Sequence, residues 1–170
     1  MKSKKNLVFL GMMGSGKSSI GFLVAKKLNL KFIDIDNIIE KEVGMKIADI
    51  FKDKGENYFR ILEEKNTLKV LNFNNSVISL GGGAFMNNKI RKKVLSNNFS
   101  FWLNWNTETL LGRIKKNKKR PIAFNSSDTE LMSLIKSRSK IYSKAQIKIN
   151  CNNLTKSEII EKILKIYEPN

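Results

Sequence analysis

The chain has 170 residues, 41% of them apolar. That suits one domain with a sizeable core, and no apolar run is long enough to span a bilayer. Histidine is absent and Cys151 is the only cysteine, which excludes Ser-His and Cys-His catalysis, thiolate zinc clusters and internal disulfides.

The net charge of +17 is almost all lysine, with 27 Lys against 5 Arg. Such an excess marks many nucleic-acid-binding proteins. No RGG segment or aromatic–basic interleaving accompanies it here, so it reads as biased composition on a solvated surface. A basic surface also steers anionic ligands inward. The basic start Met1-Lys2-Ser3-Lys4-Lys5 leads into an apolar run that stops at Gly11 without a signal-peptide cleavage site. The lone thiol fits a reducing compartment. A cytoplasmic monomer that binds neither membrane nor nucleic acid is expected.

In chain order, Asn6–Leu10 reads as a short apolar strand and Lys17–Asn29 as an amphipathic helix with Ile20, Leu23, Val24 and Leu28 on one face. Phe32–Ile35 is a second strand. Asp36–Val43 and Lys46–Asp53 are short helices separated by Gly44, and Gly55 opens a longer helix to about Leu71. Ser76–Leu80 is a third strand, ended by Gly81-Gly82-Gly83. Asn88–Leu95 is helical, Phe99–Leu103 a fourth strand, and Thr107–Lys116 a helix. A polar loop over 117–127 holds Pro121. Asp128–Lys144 is a helix, Ile147–Asn150 a fifth strand and Thr155–Tyr167 a closing helix, with capping-box spacing at Thr155 and Glu158. Strands alternating with helices predict a single α/β domain over 1–170, with a five-stranded parallel sheet inside three α/β/α layers.

Gly11-Met-Met-Gly14-Ser15-Gly16-Lys17-Ser18 matches the phosphate-binding loop G-x-x-x-x-G-K-[ST]. A chance match in a chain this long is on the order of one in a hundred, and the strand before and helix after it reduce that further. Glycines let several backbone N–H groups turn inward on phosphate oxygens, and the following helix aims its positive end there. Lys17 neutralises β- and γ-phosphate charge, and the Ser18 hydroxyl suits Mg²⁺. This P-loop predicts a nucleoside triphosphate ligand; the absence of N-K-x-D favours adenine over guanine.

Phe32-Ile-Asp34-Ile-Asp36 sets two carboxylates at the end of the second strand, where alternation would give them one face. One suits Mg²⁺ through water and the other a proton from an acceptor hydroxyl, unless Asp36 simply caps the next helix. Arginine, scarce here, recurs in distinct contexts at Arg60, Arg113, Arg120 and Arg138; any one alone reads as exposed surface charge, but the four together suit sites that call for a forked donor. Arg91, on a basic helix, reads as surface. Gly81-Gly82-Gly83 permits close backbone approach to a ligand.

Together these motifs resemble the shikimate kinase family. The resemblance runs nearly the whole chain, through the P-loop, Phe-Ile-Asp-Ile-Asp, Ile-Ala-Asp-Ile-Phe, Gly-Glu-x-x-Phe-Arg-x-x-Glu, Ser-Leu-Gly-Gly-Gly, Arg-Pro-Ile and Arg-x-x-x-Tyr. It implies a nucleoside-monophosphate-kinase-like P-loop fold with strand order 2-3-1-4-5, an acceptor-binding region at about 36–61 and a lid at about 115–127. It implies transfer from ATP, with Mg²⁺, to shikimate. Gly14, Ser15, Gly16, Lys17, Ser18 and Ser19 would hold the nucleotide phosphates, and Arg113 would flank the adenine. Arg120 would stabilise the transferring phosphate. Arg60 and Arg138 would grip the shikimate carboxylate, Asp36 the ring hydroxyls, and the backbone of Gly81, Gly82 and Gly83 another ligand oxygen. Asp34 would position Mg²⁺ through water, with Ser18 as direct ligand. Phe51 and Phe59 would wall the ring or simply pack in the core. Ser19 stands where the family usually has threonine, and Ile122 where it usually has leucine. Asn150–Leu154, expected near the adenine, carries no specific signal. The rivals are a gluconate or nucleotide kinase of the same fold and a nucleic-acid-stimulated ATPase.

Overall fold

The computed structural model describes residues 5–116 and 126–167. Its five strands are β1 (Leu7–Leu10), β2 (Lys31–Asp34), β3 (Ser76–Ser79), β4 (Phe99–Asn104) and β5 (Ile147–Asn150). They form one sheet in the order β2-β3-β1-β4-β5, with every neighbouring pair parallel. All four residues of β1 and of β3 are buried, as a sheet covered on both faces requires.

Alternate residues feed two separate cores. Leu7, Phe9, Val77, Phe101 and Leu103 pack under α1 (Lys17–Leu28) and α8 (Lys156–Tyr167). Val8, Leu10, Ile33, Ile78 and Trp102 face the other side. That side is covered by α2 (Ile35–Val43), α3 (Ile47–Asp53), α4 (Gly55–Val70), α5 (Asn88–Asn97), α6 (Thr107–Lys116) and α7 (Asp128–Tyr142). On α1, Ile20 and Val24 are buried, each contributing roughly 1.5–3 kcal/mol. The helix also carries Gly21 so close to the sheet that a Cβ there would lie 2.9 Å from the Phe32 ring.

Boundaries differ from expectation in a few places, each with a local cause. The strand β2 ends at Asp34, whose carboxylate accepts the backbone N–H of Asn37 at 3.3 Å and caps α2. A 3₁₀ turn at Ala84–Met86, not expected, follows the glycine triplet. The helix α7 ends at Tyr142, because Lys144 and Ala145 turn back onto Ile141 and Tyr142 through tighter bonds of 3.1 and 2.9 Å. The Thr155–Glu158 capping box forms as expected, and a second joins Ser127 to Glu130 before α7. Cys151 is fully buried; its thiol donates to Ile149 O at 3.3 Å, and burial pushes it up to about 12. Among the described residues no helix is long and apolar enough to cross a membrane.

The topology puts the P-loop after β1, Asp34 and Asp36 after β2, and the glycine triplet after β3. All three lie at the carboxyl edge of the sheet, where open α/β folds bind ligands.

Candidate active site

The loop between β1 and α1 is shaped by Gly11, Gly14 and Gly16, with φ of 141°, 78° and 90°. A side chain at Gly11 would also meet Leu103 O at 2.9 Å. Ser15 N closes a turn onto Met12 O at 3.1 Å. Lys17, only 6% exposed, reaches over the loop and donates to Gly11 O and Met12 O, both at 2.9 Å. Ser18 Oγ lies 3.4 Å from Ser79 Oγ. Ser79 is paired in register with Asp34 across β3 and β2. Ser18, Ser79 and Asp34 therefore form a continuous polar row at the sheet edge. Sequence reading gave Ser79 no role; only the strand pairing reveals it.

A cavity of about 320 Å³ joins Gly14, Gly16, Lys17, Ser18 and Ser19 to Asp36. The expected shared strand face for Asp34 and Asp36 does not form, since the strand stops at Asp34. Asp36 sits instead in the first turn of α2. The cap is thus Asp34, and Asp36 is left to face the P-loop cavity.

On the far side of the loop, a second cavity of about 410 Å³ is lined by Ser15, Gly16, Trp105, Arg113 and Leu154, among others. The Arg113 guanidinium stacks on the Trp105 ring at 3.8 Å, and its Nη1 lies 3.4 Å from Gly14 O. Arg120 and Pro121, with most of the expected lid, lie outside the described residues.

The other two arginines meet at the glycine triplet. From α4, Arg60 binds Glu63 at 2.6 Å and Glu56 through two bonds of 2.9 and 3.1 Å. From α7, Arg138 is 8% exposed. Its Nη1 lies 3.5 Å from Gly82 O and 3.9 Å from Met12 Sδ. Tyr142, one helical turn on, donates its hydroxyl to the same Gly82 carbonyl; burial pushes that phenol up to about 12, so it remains a donor. Glu63 is 3% exposed. Burial raises its pKa against the pull of Arg60, and Asp36 adds to the rise. Burial alone would lower the Arg60 pKa, but Glu63 and Glu56 raise it. One Glu63 oxygen, Oε1, has no hydrogen-bond partner and stands against Gly81 beside Asp36. Asp36, Arg60, Glu63 and Arg138 thus form one electrostatic cluster. Glu63 was quoted in a motif but given no role by sequence reading.

Phe59 is buried in the core, with half-buried Phe51 against it at 4.8 Å. Arg91 is not plain surface: it is half-buried and donates to Phe85 O and Met86 O, both at 3.0 Å, closing the end of the 3₁₀ turn.

A Cβ on Gly83 would fall among the guanidinium atoms of Arg60. Because the obstruction is the tip of a flexible side chain, Gly83→Ala is expected to move Arg60 and leave the sheet intact. The KM for the acceptor should rise roughly three- to tenfold with the KM for ATP unchanged. Steady-state kinetics with each substrate varied in turn checks this; equal changes in both constants would count against an acceptor role for Arg60.

A strand–P-loop–helix unit in a 2-3-1-4-5 parallel sheet, with a carboxylate facing the loop across one cavity, defines a P-loop kinase of the nucleoside-monophosphate-kinase-like fold. The sequence profile of the shikimate kinase family matches residues 13–168. A shikimate kinase of Sulfurihydrogenibium sp. is 41% identical over 160 residues, covering 94% of this chain and 96% of that relative. Among solved structures, shikimate kinase from Acinetobacter baumannii in complex with shikimate superposes with a TM-score of 0.90 at 28% identity, covering 96% of this chain and 92% of that one. A gluconokinase from Sinorhizobium meliloti, at 16% identity and TM-score 0.58 over 98% of this chain and 93% of that one, shares the fold alone. The chain belongs to the shikimate kinase family.

Proposed function

We infer that the chain transfers the γ-phosphate of ATP to the 3-hydroxyl of shikimate, giving ADP and shikimate 3-phosphate on the route to chorismate and the aromatic amino acids. As a member of its family it is an ATP-dependent kinase. The observation that carries the reading is the single cavity holding both Lys17 and Asp36. A phosphate donor and a proton acceptor then share one space, as in-line transfer requires.

In this reading Asp36 hydrogen-bonds the ring hydroxyls and takes the proton of the attacking one. Lys17 and the P-loop N–H groups follow the charge that shifts onto the leaving ADP oxygen. Arg60 and Arg138 bind the shikimate carboxylate as forked donors, and the glycine triplet lets the ligand approach the backbone. Arg113 lies by the base, and Arg120 brings a further cation to the transferring phosphate when the lid closes and excludes water.

The row formed by Ser18, Ser79 and Asp34 fits Mg²⁺ in its donor chemistry. Ser18 would ligate the ion and Asp34 would act through water. Among the described residues no group of three or more Cys, Asp or Glu side chains converges on a metal, which suits an ion shared with phosphate oxygens and water. When bound, Mg²⁺ neutralises charge on the β- and γ-phosphates. We further propose a monomer that works in the cytoplasm.

A coupled assay tests the activity. ADP release from MgATP should depend on added shikimate. Turnover with gluconate or a nucleoside monophosphate and none with shikimate, or ATPase activity driven by DNA or RNA, would falsify the assignment.

A further inference from the structure

Resting on the nucleotide-site reading above, we propose that Trp105 is a positioning residue: its indole N–H fixes the P-loop backbone and its ring face fixes Arg113. Trp105 stands in the turn between β4 and α6, half-buried. Its Nε1–H donates to Ser15 O at 2.9 Å, across 90 residues of sequence. A trans peptide points its C=O and N–H in opposite directions. Holding the Ser15 carbonyl therefore turns the Gly16 N–H away from the indole. Gly16 also lines the cavity that holds Lys17 and Ser18. An indole is a donor only, so it suits this carbonyl and cannot compete for the N–H groups that phosphate needs.

The ring face does a second job. The Arg113 guanidinium lies 3.8 Å above it and reaches Gly14 O at 3.4 Å. Arginine on an exposed helix face has many rotamers; stacking on a rigid plane selects one. Two successive P-loop carbonyls, of Gly14 and Ser15, are thus held by a single Trp–Arg pair. The same pair lines the 410 Å³ cavity with Leu154. Loop geometry and the placement of Arg113 are coupled through one side chain, so Trp105 acts on the nucleotide and not on the acceptor.

The test uses full-length protein and two substitutions. Trp105→Phe keeps a ring for Arg113 but removes the N–H; Trp105→Leu removes both. Trp105→Phe should raise the KM for ATP roughly three- to tenfold, and Trp105→Leu further, with the KM for shikimate within about twofold of wild type. Arg113→Ala should weaken ATP binding strongly in the wild-type background and little on top of Trp105→Leu, because coupled residues are not additive. The signature is spectroscopic as well. With Trp102→Phe, the protein keeps Trp105 as its one tryptophan, and its emission should change on titration with ADP. A merely structural role would lower thermal stability and active fraction without separating the two KM values. If wild type binds ADP by calorimetry while both Trp105 variants keep its ATP KM, or if the emission is unmoved by ADP, the positioning role is overturned and the kinase reading stands. If wild type binds neither ADP nor ATP, both fall.

Discussion

Lys17→Ala is expected to lower kcat on the order of a thousandfold, about 4 kcal/mol of lost transition-state stabilisation. The reason lies in where the ammonium sits. It bridges Gly11 O and Met12 O at 2.9 Å each, at the rim of the cavity shared with Ser18 and Asp36. Both carbonyls are neutral, and a phosphate oxygen outbids them through its charge. In phosphoryl transfer the protein contributes mainly position and charge, so removing this cation removes a large part of the catalyst. Truncation also strips two loop carbonyls of a donor, at roughly 1–3 kcal/mol. That corresponds to a fall of roughly 10 °C or less in melting temperature for a chain of this size, and kinetics at 25 °C would still read folded protein. Turnover within tenfold of wild type would show that charge at this position does not drive the reaction.

Arg138→Lys is expected to lower kcat/KM for shikimate on the order of a hundredfold, with the KM for ATP within about threefold of wild type. Arg138 and Arg60 are not equivalent. Arg60 already gives its charge to Glu56 and Glu63. Arg138 instead reaches neutral groups, the Gly82 carbonyl, the Met12 sulfur and the Tyr142 hydroxyl, and Glu63 acts on it only through space. Its charge is therefore the better placed to meet a ligand carboxylate at the glycine triplet. Lysine can still reach Gly82 O, and Tyr142 holds that carbonyl regardless, so the loop should keep its shape. What lysine lacks is the planar fork. Steady-state kinetics with shikimate varied at saturating ATP reads the effect; unchanged shikimate constants would sink the carboxylate assignment.

Much of this was legible because its signals are local. The P-loop and the glycine triplet are contiguous motifs, and strand–helix alternation predicts the layers. Asp36, Arg60 and Arg138 follow from motif context, and the fold gathers all three around the glycine triplet. What was missed depends on distance. Asp34 and Asp36 look alike in an alternating run; which one ends the strand is decided by the register with Ser79 and the cap to Asn37. Ser79 matters only because β3 lies between β1 and β2. Glu63 is buried by a cluster assembled from three elements. Trp105 carried no signal in the sequence, since the carbonyl it binds is 90 residues away. Arg91 looked like surface because two of its three acceptors among the described residues are backbone atoms, which composition does not show.

The buried Cys151 has a practical consequence. A thiol held neutral up to about 12 and closed off from solvent is a poor nucleophile toward alkylating reagents at neutral pH. The native chain therefore behaves as if it had no cysteine. A single thiol introduced at exposed Lys116, which borders the larger cavity, can carry a fluorophore or spin label with no background to remove. The wild-type sequence is thus already a ready background for a single label that tests whether α6 responds to nucleotide.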